Sequence, residues 1–437
     1  MARRCTAISS TWPVPPATDR AAERDPYAAL RSRDYRLFLG GRFLSVIGAQ
    51  MLAVAIGWEL YERTHSAMAL GFVGLVQVAP IYFLVLPAGH AADRFDRRIV
   101  AMLSLALLIA TSLGLAAISY TQAPVGLVYV CLFFVGVALA FHRPAAASLL
   151  PQLVPPEDFT NAVTWSSTGW QAASVIGPAL GGGLIALAHR AGPVYLADAV
   201  LMTCFMVCIA AVRSRSAPRI TEPATATSLL AGVRFVRRSP VIFGAITLDL
   251  FAVFFGGAMT LLPVFAKDIL HVGPDGFGLL RAAPAIGAVL IAFAIAHGPP
   301  LRNAGRLVLW SVVGFGITTI IFGVSRWYPL SLAMMIAAGA FDMVSVVIRQ
   351  TLVQVRTPDV MRGRVSAVNS LFIDTSNELG GFESGATAAW FGPVWSVVGG
   401  GIATLLVVAA VARWWPELRD LTTLDGPEPS PASGERT

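Results

Sequence analysis

Gly89-His-Ala-Ala-Asp93-Arg94-Phe95-Asp96-Arg97-Arg98 separates two long apolar segments, one ending near Ala88 and the next starting at Ile99. Arginines packed this densely between membrane-grade segments mark a tight loop on the cytoplasmic side, where positive charge is retained. Gly89 lets the chain leave one helix without a Cβ penalty, and Asp93 is placed to cap the turn that follows. A positive-inside loop needs only its arginines. The Gly-x-x-x-Asp-Arg-x-x-Arg-Arg spacing asks for more than charge.

The segments on either side extend into a pattern that fills the chain. Of 437 residues, 56% are hydrophobic and 13% charged, with a mean hydropathy of +0.68. Apolar windows of about 20 residues, each able to cross a hydrocarbon core of roughly 30 Å, recur almost throughout. They predict an all-α membrane protein with twelve transmembrane helices, at about 37–60, 68–88, 99–119, 124–142, 162–188, 193–212, 241–266, 276–296, 305–324, 328–349, 365–388 and 391–412. Residues 1–36 are polar, Pro-rich and Arg-rich without an apolar stretch, so they read as a disordered cytoplasmic tail rather than a signal peptide. Residues 413–437 read as a second cytoplasmic tail.

Charge sets the orientation. The net charge of +7 lies in short loops between apolar segments, which argues for orientation in a membrane and against nucleic acid. With both termini on one side, 26 basic residues fall on that side against Arg63, Arg190, Lys267 and Arg326 on the other. Both termini are therefore expected in the cytoplasm of a bacterial cell, with the lipid bilayer as the surrounding partner. Lys267 is the only lysine. The four cysteines, Cys5, Cys131, Cys204 and Cys208, offer no paired framework and no metal site.

The longest polar interval, 213–240, divides the chain into bundles at 37–212 and 241–412, six spans each. Its second part, Ser228 to Ser239, alternates basic and apolar residues at helical spacing, which suits the inner membrane surface. The halves repeat. Gly74-Leu-Val-Gln-Val-Ala-Pro80 matches Gly278-Leu-Leu-Arg-Ala-Ala-Pro284 at an offset of 204, and Pro156-Glu157 matches Pro358-Asp359 at 202. A near-constant offset in corresponding spans marks duplicated, pseudo-symmetric halves.

Ionisable residues inside spans are rare and costly, so each is a functional candidate. Arg42 lies roughly 9 Å into span one and Asp249 roughly 12 Å into span seven, at 1.5 Å per residue. They are expected to face each other as a buried pair that limits the desolvation cost. Asp342 lies in span ten; Asp374 and Glu378 share a face of span eleven, with Glu383 turned away; Arg281 of span eight is available to neutralise one of them. A carboxyl in a low-dielectric cavity suits a proton carrier; a structural ion-pair network is the competing reading. Glu59 and Glu62, at the outer end of span one, are expected to be solvated. In span five, Gly177-Pro178-Ala-Leu-Gly181-Gly182-Gly183 admits close helix packing as its simplest explanation.

These stretches resemble known proteins. The Gly89–Arg98 loop, with Gly89, Asp93, Arg94, Arg97 and Arg98 in place, resembles the signature loop between helices two and three of the major facilitator superfamily; Asp96 departs from that family's usual glycine. Gly177-Pro178-x-x-Gly181-Gly182 resembles the element that shapes a pliable helix in the superfamily's exporters. Ala55–Tyr61, Leu75–Pro80, Leu86–Arg94, Leu262–Phe265 and Asn377–Ser384 look like the transmembrane secretion effector branch, which contains siderophore exporters and macrolide-efflux proteins. The resemblance implies a major facilitator fold and proton-motive export of a small, largely hydrophobic molecule by alternating access. No cofactor is expected, and the chain is expected to act as a monomer. Two readings from other classes remain beside it. A non-transporting scaffold or sensor would keep the same fold. A membrane-embedded enzyme is disfavoured, because no His-Glu-x-x-His or Gly-x-Ser-x-Gly appears and the six histidines lie far apart.

Overall fold

The computed structural model describes residues 25–213, 226–299 and 303–422, and regular structure among them is helical. The amino half holds α1 (Arg33–Thr64), α2 (Ala67–Arg94), α3 (Arg97–Thr121), α4 (Gly126–Leu149), α5 (Phe159–Ala188) and α6 (Gly192–Ala211). A short helix, α7 (Ala226–Arg238), precedes the carboxyl half: α8 (Pro240–Phe255), α9 (Ala258–Val264), α10 (Pro274–His297), α11 (Ala304–Val324), α12 (Tyr328–Arg356), α13 (Asp359–Phe391) and α14 (Pro393–Trp414). A final turn, α15 (Pro416–Arg419), follows. Helices α8 and α9 are two pieces of one crossing, interrupted at Gly256–Gly257 and completed by a π-helical turn at Phe265–Ile269.

Eleven crossings among the described residues are long and apolar enough to span a membrane. The twelfth is α13, which is 33 residues long but carries Asp359, Arg362, Arg364, Asp374, Glu378 and Glu383. Twelve crossings bring both ends of the chain to one side of the bundle. We call the opposite side distal.

Local chemistry explains where these helices start and stop. Ser32 and Ser66 cap α1 and α2 by accepting from Tyr35 N and Ala69 N, both at 3.3 Å, and so satisfy amides that have no partner within the helix. The turn between α2 and α3 is tighter than the sequence suggests. Helix α2 continues through Gly89 to Arg94, leaving only Phe95 and Asp96 between helices. The Asp96 carboxylate accepts from Arg98 N at 2.9 Å and starts α3 at once. The residue that departs from the usual glycine is thus a helix cap.

Lipid tails are as apolar as leucine, so close backbone approach rather than hydrophobic transfer holds such helices together. The repeat is visible in that packing. A Cβ on Gly136 of α4 would strike the Gln77 carbonyl and Pro80 of α2, and one on Gly339 of α12 would strike the Pro284 backbone of α10. Between the halves, α5 packs along α10 and α2 along α13. At the distal end a single apolar cluster joins the halves, with Met51, Leu60, Leu261, Phe265 and Phe277 all buried in it. At the terminal end the clusters are separate, one around Tyr35, Phe38 and Phe205 in the amino half and two in the carboxyl half. The halves therefore meet distally.

Candidate functional site

A cavity of about 280 Å³ lies between the halves, lined by α1, α2, α3, α4, α6, α9, α10 and α13. Most of its wall is apolar, including Leu52, Ile56, Leu70, Leu132, Met202 and Met259. Six polar side chains break that surface: Gln77, Asp198, Thr260, Arg281, Asn377 and Glu378. An apolar chamber with few convergent polar groups is the usual form of a small-molecule site.

Glu378 and Arg281 lie within electrostatic reach of each other in this wall. Gly74 makes room for the carboxylate, since a Cβ there would overlap Glu378 Oε2. The duplication shows an asymmetry here. Gly278 and Arg281 stand 204 residues after Gly74 and Gln77, and Glu378 stands 204 after Ser174. Ser174 accepts a hydrogen bond from Gln50 Nε2 at 3.3 Å. Where the carboxyl half has an acid and a base, the amino half has a hydroxyl and an amide.

The other sequence candidates lie elsewhere. Asp249 does not face Arg42. It forms an ion pair with Arg349 of α12, with side-chain exposures of 6% and 3%. The apolar window at 328–349 puts Arg349 at a span end, but the long α12 carries it inside the bundle. Arg42 is half-buried, with Tyr35 and His142 as its polar surroundings. Asp342 lines a narrow cleft together with Asp249, Phe315, Phe341 and Ser345; none of these residues lines the central cavity. The side chains of Asp374 and Asp93 lie outside the described residues. Glu59, expected in solvent, is 8% exposed and pairs with Arg63 at 3.5 Å; Glu62 is exposed.

One cavity residue escaped the sequence reading. Asp198 of α6 is 1% exposed and accepts from Ser112 Oγ of α3 at 2.5 Å. Among the described residues its Oδ1 is buried without a hydrogen-bond partner. Gly48 of α1 packs on it so closely that a Cβ there would overlap the carboxylate. The signal was present: an acid within an apolar 20-residue segment is a candidate by its cost alone.

The glycine-proline element of α5 does two jobs. A Cβ on Gly177 would lie 2.6 Å from Gln50 Cβ, and one on Gly181 would lie 2.9 Å from Met51 Cα, so these two seat α1. Gly182 instead faces α10 across the seam, and the Pro178 carbonyl lies against Gly278. The α2–α13 seam has the same form, where Gly71 meets Gly385 with 3.1 Å from an added Cβ to the opposite Cα.

Distally, polar contacts reinforce the closure. Tyr61 donates to Asp268, Lys267 Nζ lies 3.6 Å from Glu62 Oε1 and 5.8 Å above the Trp58 ring, and Trp58 stacks on Phe277 at 5.8 Å. On the terminal side, Arg97 reaches the Ser148 carbonyl at 3.4 Å and Arg98 reaches the Ala210 carbonyl. Both arginines therefore hold the α2–α3 turn to its own half, at the carbonyl ends of α4 and α6, where cations are favoured. Among the described residues, no group of three His, Cys, Asp or Glu side chains gathers as a metal site.

Comparison with known proteins agrees with this architecture. The transmembrane secretion effector family matches residues 24–427. The protein named enterobactin exporter EntS in Citrobacter koseri is 26% identical over 386 residues, covering 88% of this chain and 92% of that protein. A D-xylose-proton symporter shares the fold with a TM-score of 0.70 at 14% identity, over 90% of this chain and 100% of its own. A bacterial homolog of the human lysosomal transporter Spinster, in an inward-facing and occupied conformation, gives 0.67 at 14% identity, over 89% and 98%.

Proposed function

We propose, on the premise that the chain belongs to the transmembrane secretion effector family of major facilitator transporters, that it exports a small, largely hydrophobic molecule across the bacterial cytoplasmic membrane by proton antiport. The observation that carries this reading is the cavity between the halves, with the Glu378–Arg281 acid–base pair in a mostly apolar wall. Support for the direction comes from relatives named as exporters. The basic residues crowd the terminal side, which makes that side cytoplasmic and the distal side external. A distally fused core then corresponds to an inward-facing state that loads from the cell.

Glu378 is the proton carrier in this scheme. It lines the cavity beside Arg281, so proton uptake changes the charge felt by any molecule held there. With the proton bound, Arg281 is left without its anion and can engage the cargo; with the proton released, the pair re-forms. Asp249, held by Arg349 away from the cavity, is a structural partner and not the carrier. The polar wall beside the apolar one suits cargo with a few oxygen or nitrogen functions on a greasy frame.

The test begins with a thermal-shift screen of small amphipathic molecules on purified protein. Hits are then followed in proteoliposomes with an imposed pH gradient. Glu378→Gln keeps the shape and removes the titrating group. It should abolish gradient-driven movement and spare exchange at equal pH. Movement by the Gln variant that still follows the gradient sinks the assignment.

A further inference from the structure

A second pocket lies away from the central cavity, on the outside of the carboxyl half. It is a groove of about 470 Å³ at the distal part of α13 and α14, beside the break between α8 and α9, lined by Phe255, Glu383, Thr387, Phe391, Trp395 and Ser396. Glu383 follows Glu378 by five residues, about 140° further round the helix, so the two carboxyls serve different compartments. None of the groove's residues lines the central cavity.

We propose that this groove binds the primary ammonium headgroup of a membrane phospholipid in the distal leaflet. Four observations carry it. Among the described residues the Glu383 carboxylate accepts only a long hydrogen bond from Ser384 Oγ, at 3.4 Å, and makes no ion pair. A carboxylate facing lipid without a counter-ion is costly, and a cationic ligand removes that cost. Three aromatic rings, Phe255, Phe391 and Trp395, share the groove, and ring faces attract ammonium groups.

The hydroxyls distinguish among ammonium ligands. Thr387 Oγ1 and Ser396 Oγ lie 2.7 Å apart, and Ser396 donates to the Ser384 carbonyl at 3.1 Å. Both oxygens keep lone pairs for an N–H donor, which a primary ammonium has and a trimethylated one lacks.

Depth then places the ligand in the bilayer rather than in solution. Helix α13 has 33 residues, roughly 50 Å at 1.5 Å per residue. The hydrocarbon core is about 30 Å thick, so the helix overruns it at both ends and Glu383 falls near the distal boundary. Trp390, Phe391 and Trp395 just beyond are 74%, 67% and 70% exposed, as expected of an interfacial aromatic belt.

Native mass spectrometry of the purified full chain tests this. Phosphatidylethanolamine, phosphatidylcholine and phosphatidylglycerol with matched acyl chains are offered at equal concentration. The parent should retain the ethanolamine lipid in preference to the other two. Glu383→Gln should cut its preference over the glycerol lipid about tenfold, the loss of one charge-assisted contact. Thr387→Val keeps the carboxyl and should bring ethanolamine and choline retention together, which separates recognition from misfolding. Equal preference in parent and Glu383→Gln overturns the proposal, as does a parent that favours phosphatidylglycerol. Selective uptake of free dodecylammonium without retention of the ethanolamine lipid also overturns it, because the occupant is then not a lipid.

Discussion

Gly182 of α5 and Gly278 of α10 touch backbone to backbone, with 2.9 Å between a Cβ built on Gly182 and the Gly278 Cα. No side chain can occupy that point while the halves are closed there. Gly182→Ala should therefore destabilise the distally closed protein by about 1–3 kcal/mol, the usual cost of overpacking. Gly183→Ala is the control, since a Cβ there meets open space. Thermal unfolding in detergent reads the difference. Equal melting of the two variants would mean that the seam does not rest on this contact.

The buried pair of Asp249 and Arg349 predicts a non-additive result. Asp249→Asn leaves the Arg349 charge uncompensated at 3% exposure and should cost about 3–5 kcal/mol. Replacing both, as Asp249→Leu with Arg349→Met, should recover most of that loss. If the double variant is no more stable than the single one, the pair is not what holds α8 to α12.

Among the described residues, Ser112 gives the buried Asp198 carboxylate its only hydrogen bond. Ser112→Ala should cost about 1–3 kcal/mol, because a buried acceptor loses its donor. The same variant should reduce the thermal shift produced by any cavity ligand, since Asp198 forms part of that wall. An unchanged melting curve and ligand shift would show that Asp198 finds its partner elsewhere.

The α2–α3 turn predicts a split between folding and transport. Arg97 and Arg98 hold the turn to its own half in this distally closed state. We propose that in the opposite, cytoplasmically closed state Asp93 pairs instead with the basic stretch from Arg356 to Arg364 around the start of α13. Asp93→Asn should insert and bind ligand like the parent and transport several-fold more slowly. Parental transport rates would reduce the turn to a topology signal.

Orientation is open to direct measurement. Reporter fusions at Thr121, the last residue of α3, and at Thr225, which lies outside the described residues, should report opposite sides of the membrane, with Thr225 cytoplasmic. Both on one side would contradict the arginine asymmetry.

The fold was legible because apolar length and loop charge are local properties, readable window by window. The repeat was legible for a similar reason: Gly74 and Pro80 recur as Gly278 and Pro284, and the structure uses the two prolines as matching seats for Gly136 and Gly339. Pairing was harder. Asp249 and Arg349 are 100 residues apart, and their meeting depends on how far α12 continues past its apolar core, which hydropathy does not report. Arg42 reads as a partner for Asp249 only because both lie at similar depths. Depth says nothing about which way a helix turns its face. The cap at Asp96 was hidden too, since the arginines around it suggested a longer loop than the helices leave.

The distal closure has one further property, which follows from the chain's single lysine. Lys267, between Glu62 and the Trp58 ring, carries the only ε-amine in the molecule. Amine-directed reagents, which decorate most proteins at many scattered points, have here only this site and the chain's amino terminus. Reductive methylation, dye coupling or attachment to an amine-reactive surface would thus fall on the contact that must part when the halves separate distally. Such treatments, harmless elsewhere, would act here as reagents for conformation. The rate at which Lys267 is modified becomes a clock for opening that needs no engineered label.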